Sequence, residues 1–220
     1  MAIVGLLGIP IVMHGLVQLL SPGATTEPRQ QLKNLLIESS PGVSVVDLGE
    51  LLNSEQRVEL THGEYRSLGS KAKDVICDSG ANVVLALGGD HSAAYCIYGL
   101  EGDVVRADAH PDAYRNCLDT LNCANYVRFA AEDGLKRSIQ IWNVGLIEED
   151  LDYIHSQDAL IGKIAQLEEL LSSPPMKVGV LDIDLDVLSM TYRLPHQWDT
   201  SNLKAKDLAG LVKALRPSVN

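Results

Sequence analysis

Basic residues are in short supply in this chain. Lys and Arg number 18 against 29 Asp and Glu, a formal net charge of −11, with a pI of about 4.9. A surface of that sign repels phosphate backbones and anionic headgroups, which argues against nucleic acid or membrane as the main partner. Cysteine is sparse as well. The four residues Cys77, Cys96, Cys117 and Cys123 contain no CxxC pair, so zinc-finger spacing is missing and a disulfide framework is not expected in a chain of this size. They read as reduced thiols of a cytoplasmic protein. The apolar N-terminus, MAIVGLLGIPIVMHGLVQLLSPGA, lacks a basic lead and is interrupted by Gly5, Gly8 and Pro10. It reads as a first strand and loop, not as a signal or membrane segment. No GKS, GKT or GxGxxG motif marks a nucleotide site. With no internal repeat, low-complexity tract or charge block, residues 1–220 are read as a single domain, long enough to bury roughly 70 % of its unfolded surface.

What the chain does have is a succession of short apolar runs: 3–10, 43–49, 82–89, 103–110, 138–145 and 177–188. Between them lie segments of helical spacing. One covers 54–80 and closes on Gly80; another covers 124–134 and closes on Gly134; 159–173 and 201–215 read as two more. Strands apolar on both faces and separated by helices predict a mainly parallel sheet in a three-layer α/β/α sandwich. In such sheets ligands bind beyond the carboxyl ends of the strands. Three runs end there in polar, chelating residues: GGDH (88–91), DAHPD (108–112) and DIDLD (182–186).

Residues two apart on an extended chain point to the same side. Asp108, His110 and Asp112 are therefore expected to converge, as are Asp182, Asp184 and Asp186 on the last run. Carboxylates crowded in this way stay ionised only beside cations. His91 adds a donor from the loop after the third run, where Gly88 and Gly89 permit a tight turn. The candidate ligand set is His91, Asp108, His110, Asp112, Asp184 and Asp186. It carries too many oxygens for a structural zinc and suits a pair of harder divalent ions, manganese first, with iron(II), cobalt or zinc as alternatives. Two ions about 3.5–4 Å apart can share one water and lower its pKa into the working range. Asp182, one pleat earlier, reads as a hydrogen-bonded support for the ligands, and Asp90 as a residue that orients its loop.

GGDHS (88–92), DAHPD (108–112) and DxDxL (184–188) resemble the three metal-binding motifs of the arginase superfamily of ureohydrolases, which includes arginase, agmatinase and formiminoglutamase. Their order and spacing agree over about residues 40–190. The resemblance implies one metal held by His91, Asp108, Asp112 and Asp184, and another held by His110, Asp108, Asp184 and Asp186. Asp108 and Asp184 would be the bridging carboxylates, and the metal-bridging hydroxide the nucleophile that cleaves a carbon–nitrogen bond of a guanidino, formimino or amide substrate. Ser92, Tyr114 and Asn116, with Arg115, would shape the pocket for that small molecule, and a homo-oligomer is implied.

The chain differs from the family pattern at four places. Ser189 and Met190 follow Leu188 where the family has Asp-Pro, and Tyr114 stands where an asparagine contacts substrate. No histidine occurs near Cys123-Ala124, where the family places a catalytic one. The family's final strand and helix, with a substrate-facing glutamate, have no counterpart within residues 1–220. Two other readings follow from the resemblance: a non-catalytic or regulatory metal-binding relative, and a deacetylase of the same fold. A phosphotransferase of the haloacid-dehalogenase type also matches VLDIDLDVL (180–188), but only about thirty residues remain after it for the lysine and acidic motifs that chemistry requires.

Overall fold

The structure, a computed structural model, describes residues 2–11, 25–52, 60–115, 120–137, 140–148, 163–175, 177–189 and 202–215. His14, Asn116, Cys117, His155 and His196 lie outside them. The chain divides into two compact units. One comprises Met1–Gly99 with Leu118–Cys123 and Ser218–Asn220, the other Leu100–Cys117 with Ala124–Pro217.

The first unit runs β1 (Ala2–Ile9), α1 (Thr26–Ser39), β2 (Val43–Glu50), α2 (His62–Asp78), β3 (Val83–Gly88) and a 3-10 helix (His91–Ile97). The three strands are parallel in the order β2-β1-β3. The middle strand carries the most apolar sequence, and its Leu6, Leu7 and Ile9 are buried. Helix α2 turns Tyr65, Leu68, Ala72 and Ile76 inward, spaced by three or four residues as a one-faced helix requires. Burying an aliphatic side chain of that size stabilises the fold by roughly 1.5–3 kcal/mol. Thr61 opens α2 with a capping box: its hydroxyl accepts from the Glu64 N–H while the Glu64 carboxylate accepts from the Thr61 N–H.

Helix α1 has no counterpart among the helices read from the sequence. Its single buried side chain is Arg29. Arg29 pairs with Asp47 and Glu50 of β2 at 2.8 and 3.2 Å.

The second unit runs β4 (Asp103–Ala107), α3 (Tyr126–Glu132), β5 (Ile141–Val144), β6 (Lys163–Ile164), α4 (Leu167–Ser172), β7 (Val178–Ile183), a 3-10 turn (Leu185–Val187) and α5 (Ala205–Leu215). Its strands are all parallel in the order β6-β5-β4-β7. Val105, Ala107, Val144, Leu170, Val178, Val187, Leu211 and Leu215 form one buried cluster in which the sheet meets α4 and α5. The predicted helix over 159–173 is shorter among the described residues, because Lys163 and Ile164 pair with Trp142 and Asn143 and extend the sheet. Gly80 and Gly134 take positive φ values of 65° and 70° just past the ends of α2 and α3, where they close both helices as expected.

One glycine is fixed by contact. Between Asp103 and Val104 the β4–β7 register slips by one residue, and Gly179 is the extra residue on β7. A Cβ there would sit 1.6 Å from the Glu101 carbonyl oxygen. Gly179→Ala is expected to destabilise the protein by about 3 kcal/mol or more, read as a lower urea midpoint at unchanged slope.

Among the described residues no helix is long and apolar enough to cross a membrane.

Candidate metal centre

The centre forms where β4 and β7 end side by side. Ala107 pairs with Ile183, and the ladder continues one step past both strands: Asp184 N–H donates to the Ala107 carbonyl at 3.0 Å, and Asp108 N–H donates to Val144 of β5 at 3.1 Å. Asp108 and Asp184 are thereby fixed by main-chain bonds at the carboxyl edge of the sheet, where parallel α/β proteins bind ligands.

Beyond that point the side chains converge through turns, and the alternation read from the sequence stops. After Asp184 the chain enters the 3-10 turn, with the Asp184 carboxylate accepting from Asp186 N–H at 3.0 Å. The turn exposes Leu185 and swings Asp186 back over β4. There the Asp186 carboxylate accepts from Ala109 N–H at 3.2 Å and meets His110 Nδ1 at 2.7 Å. Ligand atoms of Asp108, His110 and Asp186 all lie within 4.8 Å of one another, and a ligand oxygen of Asp184 lies equally close to one of Asp108. Two kinds of donor, imidazole nitrogen and carboxylate oxygen, converge on one spot at the end of a parallel sheet. That donor set fits a divalent cation such as manganese, iron(II) or zinc.

Electrostatics mark the same spot. The hydrogen bond that Asp186 accepts raises the His110 pKa to about 9, with the charges of Asp186, Asp108 and Asp112 adding to it. Burial raises the Asp186 pKa, and the nearby Asp108 and Asp184 charges push it further, against the lowering effect of His110.

Asp112 bonds to Arg106. Its backbone is left-handed, φ 50°, a conformation aspartate tolerates better than most residues. This turns its carboxylate to the Arg106 guanidinium, 2.9 Å from Nη2. Among the described residues the groups able to hold a metal do not include Asp112.

Arg106 was not singled out by the sequence reading, yet it organises this end of the sheet. It is fully buried, 0 % exposed, in the middle of β4. All five of its N–H donors are engaged. Nε donates to Tyr126 Oη at 3.2 Å, Nη1 to the Pro111 carbonyl at 2.8 Å and Asn143 Oδ1 at 3.0 Å, and Nη2 to Asp108 and Asp112. Tyr126 in turn donates to Asp182 at 2.9 Å, and Asp182 lies 3.6 Å from Arg106 Nε. Asp182 is thus the supporting carboxylate expected from its position. A signal for Arg106 was present: Asn143, Arg106 and Asp182 are register partners on three adjacent strands, a polar row across an otherwise apolar sheet.

His91, Ser92 and Tyr114 are the remaining site candidates among the described residues. His91 opens the 3-10 helix after β3 and is half-buried. Asp90 caps that helix by accepting from Ser92 N–H at 2.8 Å, which orients the loop. The Ser92 hydroxyl is buried, bonded to Asp90 and 2.7 Å from Tyr65 Oη. Tyr114 is half-buried, with its main chain tied to Ala124 at 3.1 Å and Arg128 at 3.4 Å.

Parallel sheets flanked by helices, with carboxylates and a histidine gathered at strand ends, define an α/β protein built to hold metal. The Arginase family profile matches residues 3–173. The chain belongs to the arginase family. A search of curated protein sequences found no match. Among solved structures, arginase from Bacillus caldovelox is 18 % identical with a TM-score of 0.68, covering 97 % of this chain and 87 % of its own. A hypothetical agmatinase from Burkholderia thailandensis is 20 % identical with a TM-score of 0.64, covering 97 % of this chain and 74 % of its own. A formiminoglutamase variant from Trypanosoma cruzi, solved with Mn2+, is 15 % identical with a TM-score of 0.62, covering 93 % of this chain and 77 % of its own. At these identities the likenesses establish the arginase-like fold.

Proposed function

We propose that the protein is a binuclear metal-dependent hydrolase that cleaves a carbon–nitrogen bond of a guanidino, formimino or amide compound, with residues 1–220 acting as one domain. The observation that carries this reading is the convergence of Asp108, His110 and Asp186, with Asp184 beside Asp108, at the carboxyl ends of adjacent parallel strands. Carried over from the family motifs, the ligands of one ion are His91, Asp108, Asp112 and Asp184. Those of the other are His110, Asp108, Asp184 and Asp186, and Asp108 and Asp184 are shared. Manganese is the first choice, supported by the mixed oxygen and nitrogen donors and by the Mn2+ of the Trypanosoma cruzi relative.

Bound divalent ions supply the charge that makes a shared water nucleophilic near neutral pH. The chain's own residues do the rest. Main-chain bonds to Ala107 and Val144 hold Asp184 and Asp108 in place before any ion arrives. The His110–Asp186 contact fixes which imidazole nitrogen faces the carboxylate. Ser92, Tyr114 and Asn116 are proposed to shape the substrate pocket. The cysteines Cys77, Cys96 and Cys123, none of them in a disulfide, support a cytoplasmic location, and a homo-oligomer follows from the family resemblance.

The test is release of urea or ammonia from a panel of guanidino, formimino and amide compounds by the manganese-loaded protein. Turnover of at least one class, abolished by a chelator and restored by Mn2+, is the expected result. No turnover across the panel with metal bound would leave a non-catalytic metal-binding relative as the reading.

A further inference from the structure

Arg106 places a fixed cation against the same carboxylates that the ligand set above assigns to metal. Its Nη2 donates to both Asp108 and Asp112, while Nε and Nη1 are committed to Tyr126, Pro111 and Asn143. The guanidinium therefore cannot swing away without leaving five buried donors to be satisfied elsewhere. We propose that Arg106 is a built-in cation of the centre, standing in for metal at the Asp108–Asp112 end, so that one divalent ion binds tightly at Asp108–His110–Asp186 and a second binds only weakly. This inference rests on the metal-centre reading given above.

Three features carry it. The Asp112 carboxylate is turned toward Arg106 by a left-handed backbone and lies 2.9 Å from it, and among the described residues it is in neither group able to hold a metal. An ion recruiting Asp112 has to compete with a buried, always-charged guanidinium for that carboxylate. At the other end, Asp186 Oδ2 and His110 Nδ1 lie 2.7 Å apart. The Asp108–Asp112 end thus sets a fixed positive charge against an incoming cation. Asp182, near Nε and bonded through Tyr126, holds the guanidinium from behind and completes its anchoring. Arg106 acts through the carboxylates and is a positioning residue.

The experiment is a titration of the metal-stripped full chain with Mn2+, counting bound ions per chain by elemental analysis after equilibrium dialysis, for wild type and Arg106→Met. Wild type is expected to bind one ion tightly and a second at least about tenfold more weakly. In Arg106→Met the second ion is expected to tighten by about tenfold or more, the scale on which residues behind metal ligands tune affinity. Two ions of equal affinity in wild type overturn the inference and leave the hydrolase reading intact. No bound Mn2+ overturns both. A variant whose second ion binds as in wild type shows a purely structural role for Arg106 and also overturns it. If Arg106→Met does not fold, the wild-type titration decides alone.

Discussion

Arg106→Met is expected to lower the stability of the metal-free protein by about 3–5 kcal/mol, the usual cost of removing one partner from a buried ion cluster. The guanidinium is fully buried and contacts Asp108 and Asp112, with Asp182 3.6 Å away. Methionine fills much of the volume but leaves these carboxylates without their counter-charge, and leaves Asn143 Oδ1 and the Pro111 carbonyl without a donor. Urea unfolding of the stripped protein measures the loss. Because a ligand that binds only the folded state adds stability by mass action, saturating Mn2+ is expected to recover a larger share in the variant than it adds to wild type. A loss below about 1 kcal/mol would mean that the cluster is solvated or protonated, and not held ionised by Arg106.

Asp108→Asn is expected to cost the most at the metal centre. Asparagine keeps the shape, so the main-chain bond to Val144 survives, but it removes the charge that Arg106, His110 and any bound cation all share. Mn2+ affinity is expected to fall by about 100-fold, at the upper end of what loss of one supporting or ligating group does, and any hydrolytic activity with it. The titration used for wild type reads this directly. Unchanged affinity would remove Asp108 from the ligand set.

Much of the architecture is legible in the residues. The six apolar runs each contain a strand, and the glycines at 80 and 134 mark helix ends, because these features depend on local pattern and on backbone freedom at single positions. The three chelating motifs also lie at the carboxyl ends of β3, β4 and β7, as parallel connectivity leads one to expect. What local pattern could not supply is register. Arg106 looks like a stray charge in a valine-rich run until β4 is laid between β5 and β7, where it faces Asn143 on one side and Asp182 on the other. The period of two does not run on beyond the strand ends. It holds only while the ladder holds, and after Ala107 and Ile183 the chain turns, bringing Asp186 to His110 through a 3-10 turn and sending Asp112 to Arg106 through a left-handed residue. Helix α1 escaped for a third reason: its one buried side chain is a charged one, Arg29, anchored on β2.

The most direct test of the central claim is anomalous scattering at the manganese edge from crystals of the full chain grown with Mn2+. A strong peak within coordination distance of Asp108, His110 and Asp186 is expected. Full manganese occupancy elsewhere, with no peak at that position, would contradict the account.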